Sequence, residues 1–239
     1  MTHPRFDRVA FPEGNPEPRC AVALVVDVSS SMTGEPIDEL NQGIATLAPA
    51  LCEDPLSALR AEISLVSFGG DVLVRDPRGG APLSSPDAAR AFAPPTELAL
   101  PTLAATGDTP MGAAVHTALG LLRERKEQYK QAALDYYRPW LFLISDGYPT
   151  DSGWQAAAQA ARDEEMRKGV SIFPIGVQGA DLTRLGAFSA KRPPVMLRGL
   201  AFRELFVWLS KSIELLANSS PGDQVGMAQL GPWAVLSTS

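Results

Sequence analysis

Apolar residues fill every position from 21 to 26, Ala-Val-Ala-Leu-Val-Val, and the run stops abruptly at Asp27. An unbroken, valine-rich run predicts a central parallel strand covered on both faces, here over residues 20–28. Residues 139–144, Pro-Trp-Leu-Phe-Leu-Ile, form a second such run and lead through Ser145 to another carboxylate, Asp146. Elsewhere the period changes. After Pro36, the apolar residues Ile37, Leu40, Ile44, Leu47 and Leu51 recur at steps of three and four, the stripe of an amphipathic helix that Asp54-Pro55 closes. Residues 62–68 alternate, Gly69-Gly70-Asp71 follows, and residues 72–75 alternate again, which predicts a hairpin and one antiparallel edge strand. Thr109 and Pro110 fit the N-cap and first position of a helix that turns Val115, Leu119 and Leu122 inward and residues 123–126 outward. An alanine-rich helix over residues 152–168 ends at Gly169. A strand over 170–177, a short helix over 182–189, a short strand over 195–197 and an amphipathic helix over 202–217 complete the pattern. Strands and helices alternate throughout, so the fold class is α/β: a three-layer, doubly wound, mainly parallel sheet of about six strands with one antiparallel edge.

Prolines mark what lies outside this pattern. Residues 1–19 carry four of them and read as an extended arm; residues 76–106 carry six and leave room for one short helix over 87–92. The division expected is arm 1–19, domain 20–218 and tail 219–239. That tail mixes Ser, Gly and Pro with Val225, Leu230, Trp233, Val235 and Leu236, too apolar for a free linker, so it is expected to pack on the domain or a partner.

With 239 residues, 45% of them hydrophobic, the chain can bury a full core. Its net charge of −6 gives no basic stripe to neutralise a nucleic-acid backbone. The two cysteines, Cys20 and Cys52, lack zinc-ligand spacing and read as small core residues. The first residues have no apolar signal core, and no apolar segment approaches the roughly 18 residues of a membrane span, so a cytoplasmic location is expected.

Three loops at strand ends or helix starts carry oxygen: Asp27, Ser29 and Ser31; Asp108 and Thr109; and Asp146. If the strands ending at Asp27 and Asp146 are neighbours, these loops meet at the switch point of the sheet. Oxygen donors without nitrogen or sulfur suit a hard cation, magnesium foremost, with manganese or calcium as substitutes. The plainer readings are that the serine run is turn chemistry, that Thr109 is only an N-cap, that Asp108 and Asp151 are solvated or capping, and that His116 is a structural member of its helical stripe. His3 carries no reading. No Gly-x-Ser-x-Gly elbow, Gly-x-Gly-x-x-Gly or phosphate-cradling loop occurs, which leaves metal-assisted phosphoryl hydrolysis through Asp27, Asp108 and Asp146 as the enzymatic alternative.

The residues Asp27-Val28-Ser29-Ser30-Ser31, Thr109 and Asp146-Gly147 resemble the metal-ion-dependent adhesion site of von Willebrand factor type A (VWA) domains. That resemblance implies the fold above and a magnesium ion gripping an acidic side chain of a protein partner. It further implies that Ser29, Ser31 and Thr109 ligate the ion directly, while Asp27 and Asp146 hold coordinated waters. Ser30 and Asp108 depart from the family pattern, each standing where glycine is common. A carboxylate at Asp108 would raise cation affinity and weaken the pull on an acidic partner. The segments 32–37, 53–55, 67–68 and 139–151 are similar to the bacterial TerY-like subgroup of tellurite-resistance and stress-response clusters. This resemblance implies a non-enzymatic adaptor or scaffold, with kinase-like and phosphatase-like proteins as partners. Met32 and Tyr148, beside the expected metal, are expected to offer apolar contacts.

Overall fold

The computed structural model describes residues 15–146, 148–177, 179–223 and 225–236. In chain order, β1 (Cys20–Asp27) leads to α1 (Glu35–Cys52), α2 (Pro55–Arg60), β2 (Ala61–Gly69) and β3 (Asp71–Arg75). The proline-rich connection then holds α3 (Ala88–Ala91) and leads to α4 (Met111–Gln131) and β4 (Trp140–Ser145). The last third runs α5 (Trp154–Met166), β5 (Ser171–Gly176), α6 (Leu182–Gly186), β6 (Val195–Leu197), α7 (Phe202–Ala217) and β7 (Ala234–Leu236).

The sheet order is β3-β2-β1-β4-β5-β6-β7. All the inner pairs are parallel, whereas β3 on β2 and β7 on β6 are antiparallel. The sheet thus has seven strands where the sequence predicts about six, and both edges are antiparallel. The extra strand comes from the tail, whose three-residue apolar stretch is too short to show a period of its own.

β1 lies in the middle, and its eight residues are all buried. Val22, Leu24 and Val26 face a layer built by α1 and α7, while Ala21, Ala23 and Val25 face the layer that includes α4 and α5. This two-sided burial explains the unbroken apolar run, because neither face of the strand meets water. Gly43 lets α1 press onto α7: a Cβ there would sit 2.9 Å from the backbone carbon of Phe202.

Several local expectations are corrected. Asp54 does not simply close α1; its carboxylate accepts from Ser57 N and caps α2. Cys52 ends α1 off the apolar stripe and is exposed, whereas Cys20 is buried. His116 is exposed and stands off the buried stripe of α4. Arg125 is buried, because steps of three and seven residues along α4 put it on the same face as Leu122 and Ala118, where it meets Glu62 at 2.7 Å. The alanine-rich helix ends at Met166, and Lys168 (φ 61°), not Gly169, takes the left-handed conformation after it.

Candidate functional site

Parallel pairing fixes the first contact of the site. Val26 pairs with Ile144, so the residues that follow, Asp27 and Ser145, end their strands side by side. Ser145 Oγ donates to Asp27 Oδ2 at 2.5 Å, and the backbone N–H of Ser29 donates to Oδ1 at 2.8 Å. Asp27 is wholly buried, and Ser29 and Thr109 are nearly so. Past the strand, a 3-10 turn over Ser30–Met32 lifts the serine hydroxyls toward Asp146. Ser29 Oγ lies 2.9 Å from Ser31 Oγ, and Ser31 Oγ donates to Asp146 Oδ2 at 2.5 Å.

Backbone hydrogen bonds lock the second loop to the first. Thr106 N donates to Val28 O (2.7 Å), and Ser30 N donates to Gly107 O (2.9 Å). The Ser30 hydroxyl donates to the same carbonyl at 3.0 Å, which gives this departure from the family pattern a positioning role. Gly107 has a positive φ of 66° and crosses the hairpin so closely that a Cβ would lie 2.5 Å from Gly70 Cα. The third loop is tied in from the other side. Thr109 N donates to Thr150 Oγ1 (3.0 Å), and Thr150 N donates back to Thr109 O (2.9 Å).

Thr109 is therefore not the N-cap of α4, which begins at Met111 with Pro110 before it. The cap comes from across the site: the Asp151 carboxylate accepts from Gly112 N (3.1 Å) and Ala113 N (3.0 Å). This frees the Thr109 side chain from capping. Of the remaining expected residues, Met32 is buried, Tyr148 is exposed with its ring under the Arg184 guanidinium at 5.4 Å, and Asp108 is exposed. A cleft of about 280 Å³ beside Ser31 and Asp146 is lined by Met32, Pro36, Tyr148 and Leu200. Gly147 lies outside the described residues. Sequence reasoning missed Ser145 and Thr150, whose roles depend on strand register and loop packing.

Burial raises the Asp27 pKa to about 6, against the hydrogen bonds of Ser145 and Ser29; the nearby Asp146 charge pushes the same way as burial. The charged group among the causes of this shift is thus another acid, and a buried carboxylate is normally hydrogen-bonded, paired or metal-bound. An octahedral magnesium shell at about 2.1 Å sets adjacent ligands about 3 Å apart. The 2.9 Å between the Ser29 and Ser31 hydroxyls matches that edge. The donor set and its spacing fit a hard divalent cation. Among the described residues no three or more His, Cys, Asp and Glu side chains gather where they could hold a metal, so a cation here would depend on the hydroxyls of Ser29, Ser31 and Thr109 as well as on carboxylates.

An open α/β sheet with oxygen-bearing side chains on the loops at its switch point defines a class of protein, and comparison of the sequence places the chain within it. The von Willebrand factor type A domain family model matches residues 21–205, and the chain belongs to that family. Solved structures with a similar fold include proximal thread matrix protein 1 from the mussel byssus, at 13% identity and TM-score 0.54, covering 93% of this chain and 50% of that one. The pilus adhesin SpaC from Lactobacillus rhamnosus GG in its open conformation has 14% identity and TM-score 0.55, covering 84% of this chain and 31% of that one. The human COPII-coat protein Sec24c has 11% identity and TM-score 0.53, covering 86% of this chain and 33% of that one. The chain spans half the length of these proteins or less. No curated protein matches it. Among the described residues no helix is long and apolar enough to cross a membrane.

Proposed function

We propose that this chain is a metal-dependent protein-binding domain that grips an acidic side chain of a partner through a divalent cation. In this reading Ser29, Ser31 and Thr109 bind the cation directly, and Asp27 and Asp146 hold waters of its shell. One observation carries it: the linked oxygens of Ser29, Ser31 and Asp146, spaced 2.9 and 2.5 Å at the ends of adjacent strands, above a buried carboxylate. Neutral hydroxyl ligands leave most of the ion's charge uncompensated, so an incoming carboxylate is attracted, as a hard cation prefers. Magnesium is the cation proposed, with manganese and calcium as substitutes.

Asp108, next to Thr109, adds negative charge near the ion; in this reading it raises cation affinity and softens the grip on the partner. The TerY-like segments support a non-enzymatic adaptor or scaffold in a bacterial, cytoplasmic stress-response or signalling system. Kinase-like and phosphatase-like proteins are the partners to test first.

Water-proton relaxation with manganese tests the site itself. Bound Mn²⁺ should enhance relaxation, an aspartate-containing peptide should reduce the enhancement by displacing inner-shell water, and Ser29→Ala/Ser31→Ala should lose both effects. A chain that binds no Mn²⁺, or whose bound Mn²⁺ ignores carboxylates, would contradict the proposal. So would magnesium-dependent phosphoester turnover that Asp27→Ala abolishes.

A further inference from the structure

At the opposite end of the sheet, a cavity of about 590 Å³ opens where β4 and β5 begin. Arg138, Lys168, Lys191 and Arg192 line it, against one acid, Asp223. The Asp223 carboxylate is itself taken by the backbone N–H of Ser220 at 2.8 Å. Acids outnumber bases 27 to 21 over the whole chain, so this cavity inverts the general charge balance. Among the described residues the side chains of Arg138, Lys168 and Lys191 form no ion pair or hydrogen bond.

The base of the cavity is built rigidly. Glu165 is fully buried and accepts from Ser189 Oγ (2.8 Å) and from the backbone N–H groups of Ala190 (2.8 Å), Lys191 (3.1 Å) and Ile172 (3.1 Å). It also holds Arg192 Nη1 at 2.6 Å, with that guanidinium 4.5 Å from the Phe173 ring centroid. One carboxylate therefore anchors the backbone at residues 190 and 191 and the side chain of Arg192. Burial lowers the Arg192 pKa against the pull of Glu165, and the Arg138 charge pushes the same way as burial. An anion seated on Arg138 would offset its repulsion of Arg192. Between the cations the lining is mixed: Tyr136, Tyr137 and Ser171 stand beside the edges of the buried Trp140, Phe173 and Leu216 and the half-buried Met227.

We propose that this cavity binds an organic phosphate of nucleotide size, with its phosphates on Arg138, Lys168 and Lys191 and its organic part against Trp140, Leu216 and Met227. The volume falls in the range of small-ligand sites, about 300–1,000 Å³, and exceeds what inorganic phosphate would fill. A long nucleic acid would have to run beyond these few cations onto a chain of net charge −6, whereas a small anion meets the cations alone.

Isothermal titration calorimetry with ADP, pyrophosphate and adenosine, run with chelator so that no divalent cation takes part, tests the assignment. ADP should bind, pyrophosphate should bind more weakly, and adenosine should not bind. Arg138→Ala/Lys191→Ala alters two exposed side chains and should keep the circular dichroism spectrum while weakening ADP binding at least about tenfold. Ser29→Ala/Ser31→Ala should bind ADP like the wild type. Failure of ADP to bind at millimolar concentration, equal binding of adenosine, or an unchanged affinity in Arg138→Ala/Lys191→Ala would overturn the proposal.

Discussion

Asp27 occupies the last position of β1 with no exposed surface, and its carboxyl titrates near pH 6 because burial outweighs the hydrogen bonds from Ser145 and Ser29. The sign of the consequence follows from linkage. The unfolded chain releases this proton near pH 4 and the folded one near pH 6, so the native state binds it more tightly. The stability this group contributes is full below about pH 4 and is lost as pH rises through 6, by on the order of 2–3 kcal/mol. Urea unfolding in chelator should show the wild type losing stability relative to Asp27→Asn between about pH 4 and 7; parallel curves would refute the shift. Asp27, the serines, Thr109 and Asp146 were legible in the sequence as candidates because each follows an apolar run or stands just before a helix, where residue type alone suggests a site. Ser145 was not. Its role exists only in the register that sets it beside Asp27, and a strand-ending serine looks like any other.

The start of α4 shows how elements position the site. Asp151 caps that helix from the loop after β4, so the Thr109 and Asp146 loops are held together by a carboxylate that ligates nothing in the proposed site. Asp151→Ala should lower stability by about 1 kcal/mol, as the loss of an N-cap does, measured as a shift in the urea midpoint at unchanged m. No effect would mean that water replaces the cap. A Cβ on Gly112 would come within 2.5 Å of both Asp151 Oδ2 and Trp154 Cα, so Gly112→Ala should cost more than removing the cap itself. A greater loss in Asp151→Ala would reverse that order. The helices were legible from their stripes, but their ends were not. Thr109 and Pro110 have the composition of a helix start, yet the cap is supplied by a residue distant in sequence. Arg125 falls in a charged block that reads as solvent-facing, and only the fold reveals Glu62 and Tyr129 behind it.

At the scale of the molecule, the sheet and its switch point were readable because two continuous apolar runs require two-sided burial. The seventh strand was not, because its pairing with β6 depends on how the tail returns. Trp233 packs edge-on against Trp208 at 6.0 Å, Trp208 Nε1 donates to Ala228 O, and Trp233 O accepts from Arg198 N. Trp233→Ala should therefore destabilise the chain by about 1–3 kcal/mol, read from urea unfolding; an unchanged midpoint would show that the tail contributes nothing to the domain. The central claim concerns the other end of the sheet. Thermal unfolding in chelator and then with magnesium or manganese tests it most directly, since a ligand at about 100 times its dissociation constant adds about 2.7 kcal/mol. The midpoint should rise with either cation in the wild type and stay fixed in Ser29→Ala/Ser31→Ala. A wild-type midpoint unmoved by magnesium, manganese and calcium, or an equal rise in the double variant, would contradict the account.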